Sequence, residues 1–376
     1  MAANGENQRE RMRERPRKGG KPMSKSFVNK ALLGGAVAAG AAVWAIAPRT
    51  FSDKRRNYVP SIPDVWYAHR GLHDAGSGLT AQYANESGEY VALARRMAMK
   101  AGYGSPSVTG AIAPENSLAA FAAACEAGYG IELDLQMTAD GEIVVVYDGD
   151  LMRVAGDPRR IADLTYDELT RIPLFPTDAP GAAVAAPLPG SLEKPPLVTT
   201  PDSAPEGYFQ HVPLFADVLK VVAGRVPLIV EYKFDDNSKW GSRDVELMEK
   251  GDALLQAYSG AYVIESFNPA AVNWYKENRP EVCRGQLSWW PQGEEKPSDP
   301  AALAKEYAAG ALIFDWISRP DFVAYDWHGG NSPQVRLARF MGAVPVSWTV
   351  RSRDELAQCD DWFDHHIFEA FVPDEQ

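Results

Sequence analysis

The sequence contains little cysteine, and this shortage excludes two kinds of site. Its 376 residues include three cysteines, Cys125, Cys283 and Cys359. An odd number cannot pair completely, and the three do not show the close spacing of metal-binding cysteines. The sequence therefore indicates neither a disulfide framework nor a zinc site, and cysteine usage leaves the cellular compartment open.

Positive charge is scarce in the body of the chain. The whole sequence has 38 Lys and Arg against 50 Asp and Glu, a net charge of -12. Residues 1–56 hold 13 of the basic and 4 of the acidic residues, which leaves 25 basic against 46 acidic residues in 57–376. So acidic a surface repels nucleic acid, and a phosphate substrate needs a cation to offset this charge. We therefore expect no nucleic-acid partner and favour a bound metal ion.

Charge is absent from one run near the amino terminus. The 18 residues Ala31–Pro48 carry none, and as a helix they would span about 27 Å, close to the hydrocarbon thickness of a bilayer. They follow residues 1–30, whose basic composition predicts disorder. We interpret the run as a single transmembrane anchor; a cleaved signal peptide and a soluble helix are the alternatives. The Lys and Arg before the run favour a cytoplasmic tail and a body outside the cytoplasm.

From Trp66 onward, short apolar runs alternate with helical patterns, a rhythm typical of parallel sheets and barrels. No glycine-rich phosphate loop follows the first strand, which disfavours a doubly wound nucleotide-binding sheet. An α/β fold of the TIM (β/α)8 barrel type over residues 57–376 is favoured instead. The eight predicted strands are "WYAHR", "GIELDLQ", "IVVVY", "PLIVEYK", "AYVIES", "CRGQLS", "ALIFDW" and "VPVSWTV", and the later predicted helices are 243–258, 269–278, 299–309 and 333–341.

Two segments interrupt this rhythm. Residues 73–113 place a short helical pattern between Gly- and Ser-rich flanks, and residues 174–206 are rich in Pro, Ala and Gly. We interpret both as insertions in loops. Because loops after barrel strands lie on the catalytic face, the sequence leaves open whether these insertions cover the site or are disordered.

Polar side chains gather at the ends of three predicted strands. The first strand ends in His69 and Arg70, and alternation in "IELDL" places Glu132 and Asp134 on one side of the second. "PLIVEYK" repeats the arrangement with Glu231 and Lys233. A single histidine is more often structural, and a single Glu-x-Asp is common on solvated edge strands, but their coincidence favours a site. Three converging carboxylates suit an oxygen-ligand cation, Ca²⁺ or Mg²⁺.

These residues carry a resemblance. "AHRG", "APENSLAAF", "GYGIELDLQMTADGEIVVVYDGDLMR", "VEYK", "ESFNPAAV" and "SWTV" occur in the same order as in the glycerophosphodiester phosphodiesterase family, which this chain resembles from His69 to Val350. The resemblance implies a metal-dependent barrel enzyme that cleaves glycerophosphodiesters to glycerol 3-phosphate and an alcohol. It implies a catalytic role for His69, substrate contacts for Arg70, Lys233 and Trp348, metal ligands at Glu132, Asp134 and Glu231, and a mainly structural turn at Glu115 and Asn116.

The stretch "EIVVVYDGDL" departs from the family, which ends its third strand in His-Asp where this chain has Tyr147 and Asp148. That histidine is the second acid–base partner, and phosphodiester cleavage needs a proton both removed and donated. Three interpretations stay open: Tyr147 is the general acid, Tyr147 is only a hydrogen-bond donor beside a metal that carries the charge, or the site binds without turnover. His73 is a candidate substitute because it follows His69 closely.

The leading hypothesis is therefore a membrane-anchored phosphodiesterase, with its catalytic domain outside the cytoplasm, that acts on glycerophosphodiesters or lysophospholipid-like substrates. A catalytically silent relative that binds phosphodiesters or lipid headgroups is the main rival. A membrane-surface scaffold with a structural calcium site is the third hypothesis, and retention of the polar residues at so many strand ends argues against it.

Overall fold

The computed structural model describes residues 40–49, 58–106, 108, 110–175, 210–235, 239–291 and 297–374. The predicted basic tail, half of the predicted anchor over 31–48 and nearly all of the predicted insertion over 174–206 lie outside these residues. The chain divides into two compact units, residues 1–42 and 43–376.

Eight parallel strands form a closed barrel, which confirms the predicted fold. The barrel closes because β1 pairs with both β2 and the last strand. In chain order the strands are β1 Tyr67–His69, β2 Gly130–Met137, β3 Ile143–Val145, β4 Asp150–Leu151, β5 Asp157–Arg160, β6 Leu228–Tyr232, β7 Tyr262–Ser266, β8 Arg284–Ser288, β9 Phe322–Asp326, β10 Val344–Val350 and β11 His365–Phe368. Of these, β3 lies antiparallel to β2, and β4 pairs with β5 in a separate hairpin.

Helices surround the barrel and connect its strands. Their apolar sides pack on the outward-facing residues of the strands, such as Ile131 and Leu133. The α-helices are Ala84–Lys100, Leu118–Ala127, Met152–Ala155, Tyr166–Leu169, Phe215–Val222, Ser242–Gln256, Pro269–Asn278, Pro300–Gly310, Asp315–Ser318, Pro333–Phe340 and Arg353–Cys359, with 3-10 turns at Ala81–Tyr83, Ile161–Asp163, Trp327–Gly329 and Asp360–Trp362.

Two of the eight predicted barrel strands were wrong. "IVVVY" is not a barrel strand, because β3 folds back on β2 as an antiparallel partner. "ALIFDW" forms a turn and the start of the helix Asp315–Ser318, and the barrel strand is β9 after it. The remaining place is filled by β11, which was not among the eight predicted strands. Short apolar runs do not distinguish a buried strand from a buried turn or helix by periodicity.

The predicted insertion over residues 73–113 is ordered where the structure describes it. It contains the helix Ala84–Lys100, whose buried residues Tyr90, Ala94 and Ala98 face the core. Arg95 donates hydrogen bonds to the buried carboxylate of Asp74, 2.7 Å away, and to the carbonyl oxygen of Gly110. This segment is therefore packed into the body rather than extended from it.

No helix within the described residues combines the length and apolarity required to cross a membrane. Residues 43–46 are helical. Trp44 stacks on Trp316 with ring centroids 5.9 Å apart, and the Arg319 guanidinium donates hydrogen bonds to the carbonyl oxygens of Trp44 and Ala47.

The interior of the barrel has an apolar layer below a charged layer. Side chains two residues apart on a strand point to the same side, and on four strands an inward-facing apolar residue is followed by a polar one nearer the carboxyl end. The apolar layer packs as one buried cluster. The pairs are Tyr67 and His69, Ile229 and Glu231, Val263 and Glu265, and Ile367 and Glu369.

Candidate active site

Neighbouring strands bring the three predicted metal ligands together. Asp134 on β2 pairs in register with Glu231 on β6, and Glu132 lies two residues before Asp134 on the same side of β2. One carboxylate oxygen from each of the three lies within 4.8 Å of the other two, and all three residues are buried. The predicted cluster of Glu132, Asp134 and Glu231 therefore exists as a single group at the carboxyl ends of the strands.

The electrostatics of this cluster suit a divalent cation. Burial raises the pKa of Glu132 well above its usual value, and the charges of Asp134 and Glu231 raise it further. Burial likewise raises the pKa of Glu231 to about 7, although Lys233 opposes the shift. Within the described residues, Oδ1 of Asp134 is buried without a hydrogen-bond partner. A hard cation such as Ca²⁺ or Mg²⁺ would offset the repulsion between these carboxylates. It would also supply a ligand partner for the buried Asp134 oxygen that has no hydrogen-bond donor in the described chain.

His69 lies beside this cluster. It ends β1 in register with Glu132, and its Nε2 is 3.9 Å from a carboxylate oxygen of Glu132. Its Nδ1 is 2.6 Å from Oε2 of Glu369, at the end of β11. Burial lowers the pKa of His69, although Glu369 opposes the shift, so the imidazole is neutral near pH 7.

Arg70 turns sharply from β1 back toward the carboxylates. Its φ of 57° lies in the left-handed region, and its backbone N donates to Glu132 Oε2 at 3.1 Å. Its guanidinium donates to Glu115 Oε1 at 2.9 Å, and its Nε is 3.6 Å from Asp134 Oδ2. Asn116 donates to the same Asp134 oxygen at 2.9 Å. The turn of Glu115 and Asn116 thus contacts the site directly, as well as shaping the loop.

Lys233 and Tyr147 meet on one side of the cluster. The Lys233 Nζ is 3.2 Å from a carboxylate oxygen of Glu231 and 3.7 Å from one of Asp134. It is also 3.8 Å from the ring centroid of Tyr147, and the Arg70 guanidinium is 3.4 Å from that centroid. The tyrosine ring therefore contacts both cations that the sequence assigned to the substrate phosphate.

An amide on β2 holds the loop that carries Tyr147. The Gln136 Nε2 donates to three successive carbonyl oxygens, those of Val146, Tyr147 and Asp148, at 3.0, 3.0 and 2.8 Å. The loop is also tied to β2 by the backbone N of Val146, which donates to the carbonyl oxygen of Asp134. Tyr147 thus occupies a fixed position beside the carboxylates although it lies outside the barrel strands.

Trp348 lies on β10 and packs against an aromatic residue that is near Lys233. Its ring packs edge-on against Phe267, with centroids 5.5 Å apart, and Phe267 lies 5.9 Å from the Lys233 Nζ. Phe267 follows β7 and was not identified from the sequence.

His73 is not placed to substitute for a second catalytic histidine. It is fully buried, with Nε2 3.0 Å from the carbonyl oxygen of Ser77 and Nδ1 3.2 Å from that of Gly71. Both ring nitrogens therefore face backbone acceptors. His366 is hydrogen-bonded to Ser347 and Asp360, away from the carboxylate cluster.

Two buried carboxylates of the same charged layer, Glu265 and Glu369, were not predicted from the sequence. Glu265 pairs in register with Glu231, and its Oε2 has no hydrogen-bond partner within the described chain. Burial, reinforced by Glu231, raises the pKa of Glu265 well above its usual value. The signal was present, because "VIE" and "IFE" repeat the apolar-to-acid alternation of "IVE".

Arg153 was also missed. Its guanidinium donates to both oxygens of Glu115, at 2.9 and 2.5 Å, and to Asp148. Glu115 thus lies between Arg70 and Arg153, and their charges outweigh its burial and hold its pKa far below its usual value. Nothing in the local sequence of Arg153 indicates this contact, which spans 38 residues.

Comparison with known proteins gives a consistent result. Residues 108–368 match the model of the glycerophosphoryl diester phosphodiesterase family, a match that includes the three clustered carboxylates and begins after His69. Over 60 residues the chain is 42% identical to a glycerophosphodiester phosphodiesterase of Caldanaerobacter subterraneus, covering 16% of this chain and 25% of that protein. The aligned stretches span about a quarter of the length of the first curated relatives that the chain matches.

Solved structures share the fold. One from Silicibacter pomeroyi, assigned to the glycerophosphoryl diester phosphodiesterases, is 22% identical with a TM-score of 0.50, covering 73% of this chain and 94% of that one. An Oleispira antarctica phosphodiesterase, solved in complex with the product sn-glycerol-3-phosphate, is 16% identical with a TM-score of 0.50, covering 82% of this chain and 93% of that one. At these identities the likeness establishes the barrel architecture alone.

Proposed function

Because the chain belongs to the glycerophosphoryl diester phosphodiesterase family, we propose that it hydrolyses glycerophosphodiesters to glycerol 3-phosphate and an alcohol, using Ca²⁺ or Mg²⁺. The observation that carries this proposal is the cluster of Glu132, Asp134 and Glu231 next to the imidazole of His69. Reduced activity relative to a two-histidine enzyme is part of the proposal, since the resemblance implies that Tyr147 replaces the second histidine of the family.

The carboxylate cluster would hold the ion, and Arg70 and Lys233 would bind the phosphate beside it. When bound, a divalent ion supplies positive charge that polarises a phosphoryl oxygen. Arg70 presents a planar guanidinium and Lys233 a compact ammonium group, and both are already paired with carboxylates of the site. Substrate phosphate thus enters a region where positive side chains are fixed before it arrives.

His69 acts as the general base in this proposal. Its Nδ1 faces the carboxylate of Glu369, so the proton of the neutral ring lies on Nδ1 and the lone pair on Nε2. Nε2 faces the metal cluster, 3.9 Å from Glu132. It takes a proton from the attacking water as the new bond to phosphorus forms and the bond from phosphorus to the leaving alkoxide breaks.

Tyr147 donates the proton that the leaving alkoxide needs. Its ring contacts Arg70 and Lys233, the two phosphate-binding cations, which supports a position beside the scissile bond. A phenol is a weak base at neutral pH but an adequate donor to an alkoxide, whose affinity for protons is much higher. Donation by Tyr147 and acceptance by His69 would balance the protons of the reaction.

A site that binds phosphodiesters without turnover is the second candidate. One observation favours this candidate. Within the described residues, His69 is the one histidine next to the carboxylate cluster. Both ring nitrogens of His73 face backbone carbonyls instead. The two candidates differ in whether product appears.

We also propose that Ala31–Pro48 anchors the protein in a membrane in a single pass, with the barrel outside the cytoplasm. The absence of charge over 18 residues supports an anchor. The basic residues before them support this orientation. Protease protection of the full chain in sealed vesicles of each orientation tests it. Release of the chain from membranes by alkaline carbonate would contradict an anchor.

A coupled assay for glycerol 3-phosphate release from glycerophosphocholine tests the activity. The full-length protein is measured with Ca²⁺, with Mg²⁺ and with chelator, and we expect turnover that chelator abolishes. Turnover that resists chelator would refute the metal assignment, and unchanged turnover in His69→Ala would refute the role of His69. Absence of turnover in the natural chain, with turnover in Tyr147→His, would establish the binding candidate instead.

A further inference from the structure

A three-residue turn, Gly76–Ser77–Gly78, lies against two buried carboxylates of the active site. It belongs to the segment 73–113, which interrupts the strand and helix rhythm of the sequence. We call it the carboxylate turn. The two carboxylates it touches, Glu369 and Glu115, each hold a different active-site side chain.

Glu369 connects the turn to His69. Its Oε2 accepts hydrogen bonds from His69 Nδ1 and from the Ser77 hydroxyl, both at 2.6 Å, and its Oε1 accepts from Arg351 Nε at 2.6 Å. Glu369 is fully buried, so these donors replace the water that a carboxylate otherwise requires. Three donors from three different segments fix the orientation of the carboxylate and, through it, the plane of the imidazole.

Glu115 connects the same turn to Arg70. The backbone N of Ser77 donates to Glu115 Oε2 at 2.5 Å, while Arg70 donates to Oε1 at 2.9 Å. Ser77 therefore contacts both carboxylates, one through its side chain and one through its backbone. A shift of this single residue would disturb the supports of His69 and Arg70 together.

Both glycines of the turn are required by close approach. A Cβ atom on Gly78, where φ is +74°, would lie 2.7 Å from Glu369 Oε1. A Cβ atom on Gly76, where φ is +149°, would lie 2.4 Å from Glu115 Oε2. Any side chain at either position must displace the carboxylate that it faces, in addition to straining the backbone.

We propose that the carboxylate turn is a positioning element that orients His69 through Glu369 and Arg70 through Glu115. In this role the segment 73–113 supports the catalytic groups from behind instead of forming a lid over them. Glu369 and Glu115 are positioning residues, since neither is placed in contact with substrate. The kinetic test of this inference rests on the proposed hydrolysis. The spectroscopic test does not depend on turnover.

The kinetic test compares glycine variants of the full chain. Gly78→Ala displaces Glu369, so we expect kcat to fall by about 10- to 100-fold with KM changed little, as for other groups that orient a catalytic or metal-binding histidine. Gly76→Ala displaces Glu115, so we expect mainly a rise in KM, because Arg70 binds the phosphate. Gly102→Ala is the matched control: its φ is also positive, +95°, but no atom lies within 4 Å of the added Cβ.

The spectroscopic test uses the nitrogen resonances of ¹⁵N-labelled histidine. In the natural chain we expect His69 to carry its proton on Nδ1. Glu369→Gln retains the size of the side chain but removes its charge, so the resonances should shift toward the Nε2-protonated tautomer. Glu369→Asp retains the charge and should shift them less.

Each outcome decides one question. Equal losses of kcat in Gly78→Ala and Gly102→Ala would overturn the proposal, because backbone strain alone would then explain both. An unchanged His69 tautomer in Glu369→Gln would also overturn it. Absence of turnover in the natural chain, combined with the expected change in tautomer, would refute the proposed hydrolysis and leave the positioning role in place. A thermal melt of each variant separates misfolding from either result.

Discussion

Tyr147 combines two proposed roles at this site, contact of its ring with cations and donation of a proton from its hydroxyl. The sequence resemblance predicts a histidine at this position, and the structure shows that the tyrosine ring contacts Arg70 and Lys233. A ring that contacts two cations contributes to binding whether or not its hydroxyl donates a proton. The two roles can be separated because phenylalanine retains the ring and lacks the hydroxyl.

We predict that Tyr147→Phe retains substrate affinity but lowers kcat by about 10²- to 10⁴-fold, the range for loss of a general acid. Steady-state kinetics on glycerophosphocholine measure both quantities. Tyr258→Phe serves as control, because it removes a hydroxyl that accepts a hydrogen bond from the backbone N of Gly224, in the connection after the helix Phe215–Val222. An unchanged kcat in Tyr147→Phe would assign Tyr147 to the ring contacts alone.

His211 gives a pH-dependent prediction about stability. It is buried, and burial lowers its pKa from 6.5 to about 4. Between these values the unfolded state binds the proton first, so the free energy of unfolding falls as pH falls from about 6.5 to about 4. We expect this group to remove about 3 kcal/mol by pH 4.

His211→Asn tests this, since asparagine can still donate to the carbonyl oxygen of Val212. Urea unfolding at pH 7.5 and pH 4 should show a smaller loss of stability in the variant than in the natural chain. Equal losses in both proteins would contradict a neutral, buried His211.

At the scale of the strands, register and alternation create the site. Ile229 and Val263 face the apolar layer of the barrel, and Glu231 and Glu265 follow two residues later in the charged layer. Close packing in the lower layer also constrains the strands. A Cβ atom on Gly285 of β8 would lie 2.0 Å from the ring of Phe322 on β9.

We therefore predict that Gly285→Ala lowers the free energy of unfolding by about 1–3 kcal/mol, the usual cost of overpacking a core. Combining it with Phe322→Leu should cost less than the sum of the two single changes, since the smaller side chain makes room for the Cβ atom. A double-mutant cycle by chemical denaturation measures this coupling. Additive losses would mean that Gly285 is required for another reason.

At the scale of the whole molecule, several buried carboxylates of the acidic body lie together at the catalytic end of the barrel. Glu132 and Glu231 are both harder to ionise in the folded state than in the unfolded chain. The folded state then holds protons that the unfolded state releases, so these groups lower stability as pH rises above their usual pKa. A bound cation would reverse this penalty.

We accordingly predict that the effect of Glu132→Gln on thermal stability depends on whether a divalent ion is present. At pH 8 with chelator the variant should melt at a higher temperature than the natural chain, because one buried charge has been removed. With millimolar Ca²⁺ or Mg²⁺ the natural chain should gain thermal stability and the variant should gain less. Glu249→Gln, on the exposed side of the helix Ser242–Gln256, is the control and should follow the natural chain in both conditions.

The alternation of apolar and acidic residues along single strands can be recognised in the sequence alone, because side chains on a strand alternate with a fixed period of two. That period and the order of short motifs predicted the barrel, the cluster of Glu132, Asp134 and Glu231, and the position of His69 beside it. The same rule missed β11 and misassigned "ALIFDW", because a short apolar run is compatible with several local structures. Local sequence therefore determined which residues could form the site.

Only the tertiary structure decided which groups support the side chains of the active site. Glu369 meets His69 across 300 residues of sequence, and Ser77 reaches the same carboxylate across 292. Such contacts follow from closing the barrel, which brings its first and last strands side by side. The period of a strand is set by its own backbone, whereas the partner of a buried charge is set by whichever distant segment the closed barrel places next to it.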